Sequence, residues 1–444
     1  MHASKQVVMS PDALPPHLKR YVVQQHYESY TPRDHAVWRH ILRRLRRHLE
    51  AKAHPVYLKG LEETGIDAEA IPRLETMNAR LARLGWSCVG VRGFVPPAVF
   101  TELQARRVLA IATAIRRPEH LDYTPAPDIV HESAGHAPFL ADPRYADYLR
   151  RCGEVGFRAI PSLADRAVFE AVRHLSEVAE HGGGPDALAA AEARLMEARS
   201  GATFASEGAR ASRLYWWTAE YGLVGPPGAP RIYGAGLLSS LGEAARCLGP
   251  EVERRPLGPG CTEVPFDITR MQPQLFVARD FDQLFEVLEA FSATLSYRRG
   301  GDHGLAEALR SGTQVVLELP GGSPLSGRVE AVEPAPRPVA PGLSAALVRL
   351  AAPGCQGAGA PSCLGAGAPV HLVAFGPGEL RALGPQVLAF PSGLRLSLRH
   401  LGGGEVADVG GTLAGRPLDL PDRAILRIAG TLPSVCAGPD PVDG

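Results

Sequence analysis

Residues 128–139 read DIVHESAGHAPF. His131, Glu132 and His136 fall within six positions, in the order H-E-x-x-G-H. The spacing is one residue longer than the H-E-x-x-H of zinc proteases. On an α-helix, residues four apart lie nearly one above the other, at about 40° of offset. Residues five apart are turned by about 140°, so His131 and His136 can share a metal only if the helix ends or distorts between them. Gly135 permits such a distortion and Pro138 stops regular continuation. The motif therefore predicts a metal site at an irregular helix end rather than a zinc-protease helix.

Two imidazoles do not complete a site. The run YWWTAEYGLVG (215–225) supplies Glu220 among aromatic and apolar neighbours. A lone carboxylate there is costly to bury unless paired or metal-bound. Two imidazoles and one carboxylate on one face of an ion leave open positions, the arrangement of non-haem iron(II) oxygenases. Read from its neighbours alone, Glu220 is equally a helix carboxylate turned to water.

The rest of the chain limits the function classes. Lys plus Arg and Asp plus Glu both total 47, so the formal charge is zero and neither nucleic acid nor a membrane is expected as a partner. No apolar run reaches the ~18–20 residues that span a bilayer. The N-terminus has no charged-then-apolar signal pattern. The seven cysteines are scattered without a C-x-x-C pair, which reads as reduced thiols and a cytoplasmic location. Protein partners stay open.

TPRDHAVWRHILRRLRRHLEAK (31–52) predicts a helix with Thr31 as N-cap and a buried stripe of Trp38, Ile41, Leu42, Leu45 and Leu49. Its arginine face reads as solvated. Helices are also predicted at 72–84 and 97–116, with WSCVGVRGFV between them as a strand and a glycine turn. Residues 162–199 predict a helical hairpin broken at HGGGPD, its first arm burying Leu163, Val168, Phe169, Val172, Leu175 and Val178. Beyond SYRRGGDHG the runs TQVVLEL, GRVEAVE, PVHLVAF, LRLSLRH and AILRIAG read as short strands, and the GAGAP repeat within 356–369 as a loop. The fold class expected is a mainly α (α+β) catalytic domain with a helical-hairpin insertion, followed by a small β-rich C-terminal domain. The boundaries expected are an extension at 1–29, a catalytic domain at 30–300 with the insertion at about 160–210, and the β-rich domain at 301–444.

Taken in order, YTPAPDIVHESAGHAPF, YWWTAEYGL, IYGAGLLSSLGE and MQPQLFVARDFDQL resemble the pterin-dependent aromatic amino acid hydroxylases, and the likeness runs from about Tyr30 to Tyr297. The resemblance implies iron(II) held by His131, His136 and Glu220, and a tetrahydropterin, either tetrahydrobiopterin or a bacterial analogue. It implies a pterin stacked on Phe100 beside the loop of Gly93, Val95 and Pro97, with Glu132 as a catalytic carboxylate facing the cofactor. Pro96 and Pro97 depart from the more polar residues usual there. Arg116 matches the clamp on the substrate carboxylate, Thr124 and Ser239 polar contacts to the amino acid, and Trp216 and Pro127 the walls of the ring pocket. Ile268 stands where tyrosine-hydroxylating members carry an aspartate, and Trp216 where tryptophan-specific members carry a phenylalanine. The implied reaction is hydroxylation of L-phenylalanine to L-tyrosine by O2, one oxygen entering the ring and the other the pterin. Tryptophan and other ring positions remain alternatives. A zinc hydrolase with Glu132 as general base, and a non-catalytic metal-binding descendant, are rivals from other classes.

Overall fold

The computed structural model describes residues 13–124, 126–180, 182–319, 324–351, 370–375, 379–381, 386–402, 405–421, 423–429 and 434–438. The 356–369 loop lies outside the described residues. The chain mixes helix and strand, and its C-terminal part is rich in strand. By their internal contacts the residues form two units, one of 1–157 and 164–292, the other of 158–163 and 293–444.

In the first unit the helix Pro32–Leu49 starts where expected. The Thr31 side chain accepts from the Asp34 backbone N–H, and Asp34 accepts in return from the Thr31 N–H, a closed capping box. Val37, Trp38, Ile41, Leu42, Leu45 and Leu49 are buried on one face. Arg43 on the other face pairs with Glu69 at 2.6 Å in the open.

A three-stranded sheet follows from β1 (Val22–Val23), β2 (Ser87–Val91) and β3 (Val108–Ala112), with β1 antiparallel and β3 parallel to β2. Here the sequence reading needs correction. The helix expected over 97–116 covers only Pro97–Ala105, and the remainder contains β3. Arg107, at φ 61°, breaks the helix, and VLAIA is then buried at all five positions. A run apolar on both faces has no periodicity to tell buried strand from buried helix. The neighbour β2, also buried throughout, decides it by pairing.

A second, four-stranded sheet has β5 (Arg231–Ile232) beside β4 (Gly222–Val224), then β7 (Gln274–Ala278), then β6 (Glu253–Pro256). The strand β4 leaves directly from the element that carries Glu220. Helices Leu163–Glu180 and Pro185–Gly201 lie where the hairpin was expected. The first arm is less buried than its pattern suggested. Only Ala171 and Ser176 are fully inside, while Leu163 is 49% exposed.

The second unit places helices Ser296–Arg299 and Gly301–Ser311 before an 11-stranded sheet. The sheet includes strands over each of the five runs read from sequence. It also includes Ala345–Ala351 and Glu405–Leu413, which the reading missed. Ala345–Ala351 is apolar on both faces apart from Arg349, so alternation is absent there as well.

Candidate metal and aromatic-ring site

Both metal-site elements are π-helices. Val130–His136 carries the two histidines and Trp216–Glu220 carries the acid. A π-turn closes through i→i+5 hydrogen bonds, so residues five apart return to one side. That resolves the spacing problem posed by H-E-x-x-G-H. The distortion runs through the whole segment rather than ending the helix, and the short 3₁₀ turn Ala137–Ala141 follows it.

Gly135 lies within this distorted segment and also allows a close approach. A Cβ at this position would meet the Ala235 carbonyl oxygen at 2.7 Å. The glycine therefore admits the short helix Ala235–Ser239 against the histidine segment. That close approach brings the Ser239 hydroxyl to 2.9 Å from His131 Nδ1. Ser239 Oγ also donates to the Ala235 carbonyl at 2.7 Å. A hydroxyl has one proton, so it must accept from His131, which puts the imidazole proton on Nδ1 and the free lone pair on Nε2.

Nε2 of His131 is 3.3 Å from Glu220 Oε2, and Nε2 of His136 is 3.1 Å from Glu220 Oε1. The two rings are 5.0 Å apart and nearly perpendicular. His136 is buried, and among the described residues neither ring nitrogen has a properly directed hydrogen-bond partner. Leaving such atoms unpaired costs about 1–3 kcal/mol each. A cation between the rings and the acid accounts for the Nε2 orphan and for the way the three groups face one another.

Two carboxylates compete for the third position. Glu132 also has an oxygen in a cluster with both imidazoles whose ligand atoms all lie within 4.8 Å of one another. Electrostatics separates them. Burial pushes the Glu132 carboxyl up to about 8, offset in part by His136 and reinforced by Glu220 and Asp128. Burial acts on Glu220 in the same direction, but the two imidazoles outweigh it and hold the carboxyl far below its ordinary value. Glu220 is thus held ionised, with its oxygens 3.3 and 3.1 Å from the two Nε2 atoms. Imidazole and carboxylate donors of this number suit iron(II) with open positions.

Of the residues assigned to the substrate, Arg116 is linked to this centre by hydrogen bonds through Asp128 and Ser239. Arg116 is buried and grips Asp128 in a fork, Nε to Oδ2 at 2.8 Å and Nη2 to Oδ1 at 2.7 Å. Its Nη1 donates to the Ser239 carbonyl at 2.9 Å. One N–H on each terminal nitrogen is left for a further acceptor. Asp128 also accepts from the His131 backbone N–H at 3.0 Å, so one acid links the clamp to the metal helix. Burial would raise Asp128, but the Arg116 charge and these hydrogen bonds hold it ionised.

Thr124 is partly buried, and its hydroxyl donates to the Ala126 carbonyl at 3.0 Å; Pro127 is partly buried nearby in the chain. Trp216 stacks between Phe266 at 4.3 Å and Tyr221 at 4.5 Å. The Ile268 carbonyl accepts from the Tyr123 hydroxyl at 2.5 Å.

On the other side, the loop of Gly93 and Val95 follows β2. Gly93 takes φ 56° with open space where a Cβ would stand. Pro97 opens the helix Pro97–Ala105, and the Phe100 ring meets Tyr215 edge-on at 5.5 Å. Tyr215 lies 6.3 Å from the His136 ring, and its hydroxyl is 2.6 Å from Gln104 Nε2. Tyr215, Gln104 and Asp128 were missed by the sequence reading. The signal for Asp128 was present, an acid set among prolines just before the histidines, but its partner Arg116 is visible only in the fold.

The sequence profile of the biopterin-dependent aromatic amino acid hydroxylases matches residues 22–166 and 196–299. The chain belongs to this family. The hydroxylase is 31% identical over 271 residues to the phenylalanine-4-hydroxylase of Caulobacter vibrioides, covering 61% of this chain and 75% of that protein. It is 30% identical over 293 residues to the phenylalanine-4-hydroxylase of Chromobacterium violaceum, covering 65% and 78%. A crystal structure of the Chromobacterium violaceum enzyme with bound iron(III) and 7,8-dihydrobiopterin is 28% identical, covers 63% of this chain and 92% of that one, and superposes with a TM-score of 0.49. The first stretch of the family match contains His131 and His136, and the second contains Glu220.

Proposed function

We propose that the hydroxylase is an iron(II)- and tetrahydropterin-dependent monooxygenase that converts free L-phenylalanine to L-tyrosine. The observation that carries this reading is the convergence of His131, His136 and Glu220, at 3.1–3.3 Å, within a chain of this family. His131, His136 and Glu220 hold the iron, and the Phe100 side of the site takes the pterin. Bound together, the two supply O2 activation and the electrons that split it.

The side chains do the positioning. Ser239 keeps the proton on His131 Nδ1 and so presents Nε2 to the metal. Glu132 is the carboxylate beside the pterin, and burial raises its carboxyl above the ordinary value. Gly93, Val95 and Pro97 form the loop beside the cofactor. Arg116, held by Asp128, offers its two remaining N–H groups to the substrate carboxylate, with Thr124 and the Ser239 segment beside the amino acid. Trp216, Pro127 and Ile268 enclose the ring. Asp267, the acid beside Ile268, is engaged by Thr269 and Arg199, so an apolar ring fits better than a phenol. An apolar pocket discriminates by only ~1–3 kcal/mol per methylene-sized difference, so slower turnover of tryptophan is expected.

Residues 167–195, which hold most of the helices Leu163–Glu180 and Pro185–Gly201, are an insertion in this reading, because the family match is interrupted there. The catalytic domain was expected at residues 30–300 after an extension at 1–29; the family match begins earlier, at residue 22, and takes in the strand Val22–Val23. Residues 301–444 form a β-rich domain that lies outside the match. A cytoplasmic location is supported by the five described cysteines, all of them free. Among the described residues no helix is long and apolar enough to cross a membrane.

The test is direct. The chain is loaded with ferrous iron without air, then given phenylalanine, tetrahydropterin and O2, and tyrosine is measured by chromatography. Tyrosine that depends on all four components supports the reading. Iron binding with no product from phenylalanine, tyrosine or tryptophan overturns it.

A further inference from the structure

The helices Leu163–Glu180 and Pro185–Gly201 span the break in the family match at residues 167–195, and each is hydrogen-bonded to a residue that adjoins one assigned to the substrate. At the turn after Leu163–Glu180, the Glu180 carbonyl accepts from Arg117 Nη1 at 3.1 Å, and Arg117 adjoins the carboxylate clamp Arg116. In the last turn of Pro185–Gly201, Arg199 Nη2 donates to Asp267 Oδ1 at 3.1 Å, and Asp267 adjoins Ile268. The residue after Arg116 and the residue before Ile268 are thus tied to the same helix pair.

Asp267 is the fixed point of its loop. Its Oδ1 accepts from the Thr269 backbone N–H at 3.0 Å and the Thr269 hydroxyl at 2.7 Å, besides Arg199. On the inner side, the buried Gln272 amide donates to the Asp267 carbonyl at 2.9 Å and the Arg270 carbonyl at 2.7 Å. The same amide accepts from Trp216 Nε1 at 3.3 Å. The loop bearing Ile268 is therefore tied inward to the ring wall and outward to the helix pair. Arg270 also approaches Asp267, at 3.5 Å, but it belongs to the loop and cannot anchor it to anything else.

We propose that the helix pair forms an outer wall of the substrate pocket, and that Arg199–Asp267 is a positioning pair setting which aromatic ring the pocket accepts. This rests on the phenylalanine-hydroxylase reading above. An ion pair at this exposure contributes little to stability as such. Its effect comes from where it acts, on the loop of residues 267–270, which Gln272 joins to the Trp216 indole.

The experiment uses the full chain, iron-loaded, with R199A, D267N and the double variant. R173A is the control, an exposed arginine of the same helix pair that faces Glu177. Circular dichroism melts confirm that each variant is folded. R199A is expected to raise KM for phenylalanine by about three-fold, and to cut the preference for phenylalanine over tryptophan similarly, with kcat within about two-fold. D267N is expected to do the same, the double variant no more than either, and R173A nothing. A second readout does not depend on turnover. Tryptic cleavage after Arg270, which is 72% exposed, is expected to speed up several-fold in R199A. An unchanged cleavage rate with unchanged KM and preference overturns the proposal, as does independent multiplication of the two single effects. If the wild-type chain hydroxylates no aromatic amino acid, the activity reading fails, and the cleavage rate alone still decides whether Arg199 holds the loop.

Discussion

The hydroxyl of Ser239 stands 2.9 Å from His131 Nδ1 and donates its own proton to the Ala235 carbonyl. One small side chain thereby fixes the tautomer and the direction of a metal-facing imidazole. Replacing it with alanine frees the ring to rotate and to carry its proton on either nitrogen. Ser239→Ala is expected to weaken ferrous iron binding by about 10–100-fold, measured by anaerobic titration. Unchanged affinity would remove the tautomer argument.

Glu220 is the one carboxylate of the pair that the surroundings keep ionised. Glu220→Gln keeps the shape and removes the charge. The variant is expected to fold but to emerge from gel filtration without iron, whereas Glu132→Gln keeps its iron. Metal analysis of the two proteins distinguishes them, and the opposite pattern would make Glu132 the ligand.

Gly135 lets the helix Ala235–Ser239 approach, since an added Cβ would sit 2.7 Å from the Ala235 carbonyl oxygen. Gly135→Ala must move that helix. A loss of ~1–3 kcal/mol in stability is expected, with lost activity, because Ser239 moves away from His131. Denaturant unfolding and the iron titration report the two effects separately.

Glu243 gives a pH test away from the metal. It is buried, its Oε1 accepts from the Gln272 backbone N–H at 2.8 Å, and burial pushes its carboxyl up to about 7 despite that bond and Arg246. A carboxyl raised in the folded state favours folding most below its unfolded value, about 4.5, and that contribution is lost as pH rises through about 7. Glu243→Gln removes the titration. Between pH 5 and pH 8.5 the wild type should lose stability relative to the variant, by something on the order of 3 kcal/mol. Parallel pH profiles for the two proteins would show that Glu243 does not titrate in this range.

Much of the site was readable because its chemistry is written in residue type and order. The five-residue spacing of His131 and His136 ruled out a regular helix before any coordinates, whereas Glu220, which its neighbours alone left open to water, was singled out only by the family resemblance. The widening into a π-helix was not readable, because nothing in VHESAGH distinguishes an internal bulge from a frayed end. The close approach at Gly135 was not readable, since its neighbour Ala235 is a hundred residues away in sequence. The strand Val108–Ala112 was taken for helix for the same kind of reason. Its pattern is apolar on every face, and only the pairing with Ser87–Val91 settles its conformation. Asp128 and Gln272 act through partners that sequence order does not reveal, a buried guanidinium and a tryptophan indole.

The central claim is that three side chains from two π-helical segments hold one iron. A crystal structure of the chain loaded anaerobically with ferrous iron tests it most directly, using anomalous scattering at the iron edge to place the metal. The account predicts a single iron per chain, bonded to Nε2 of His131, Nε2 of His136 and a Glu220 oxygen, with the remaining positions open to solvent or substrate. Iron bound elsewhere, or a Glu220 carboxylate turned away from a metal that the two histidines hold, would contradict it.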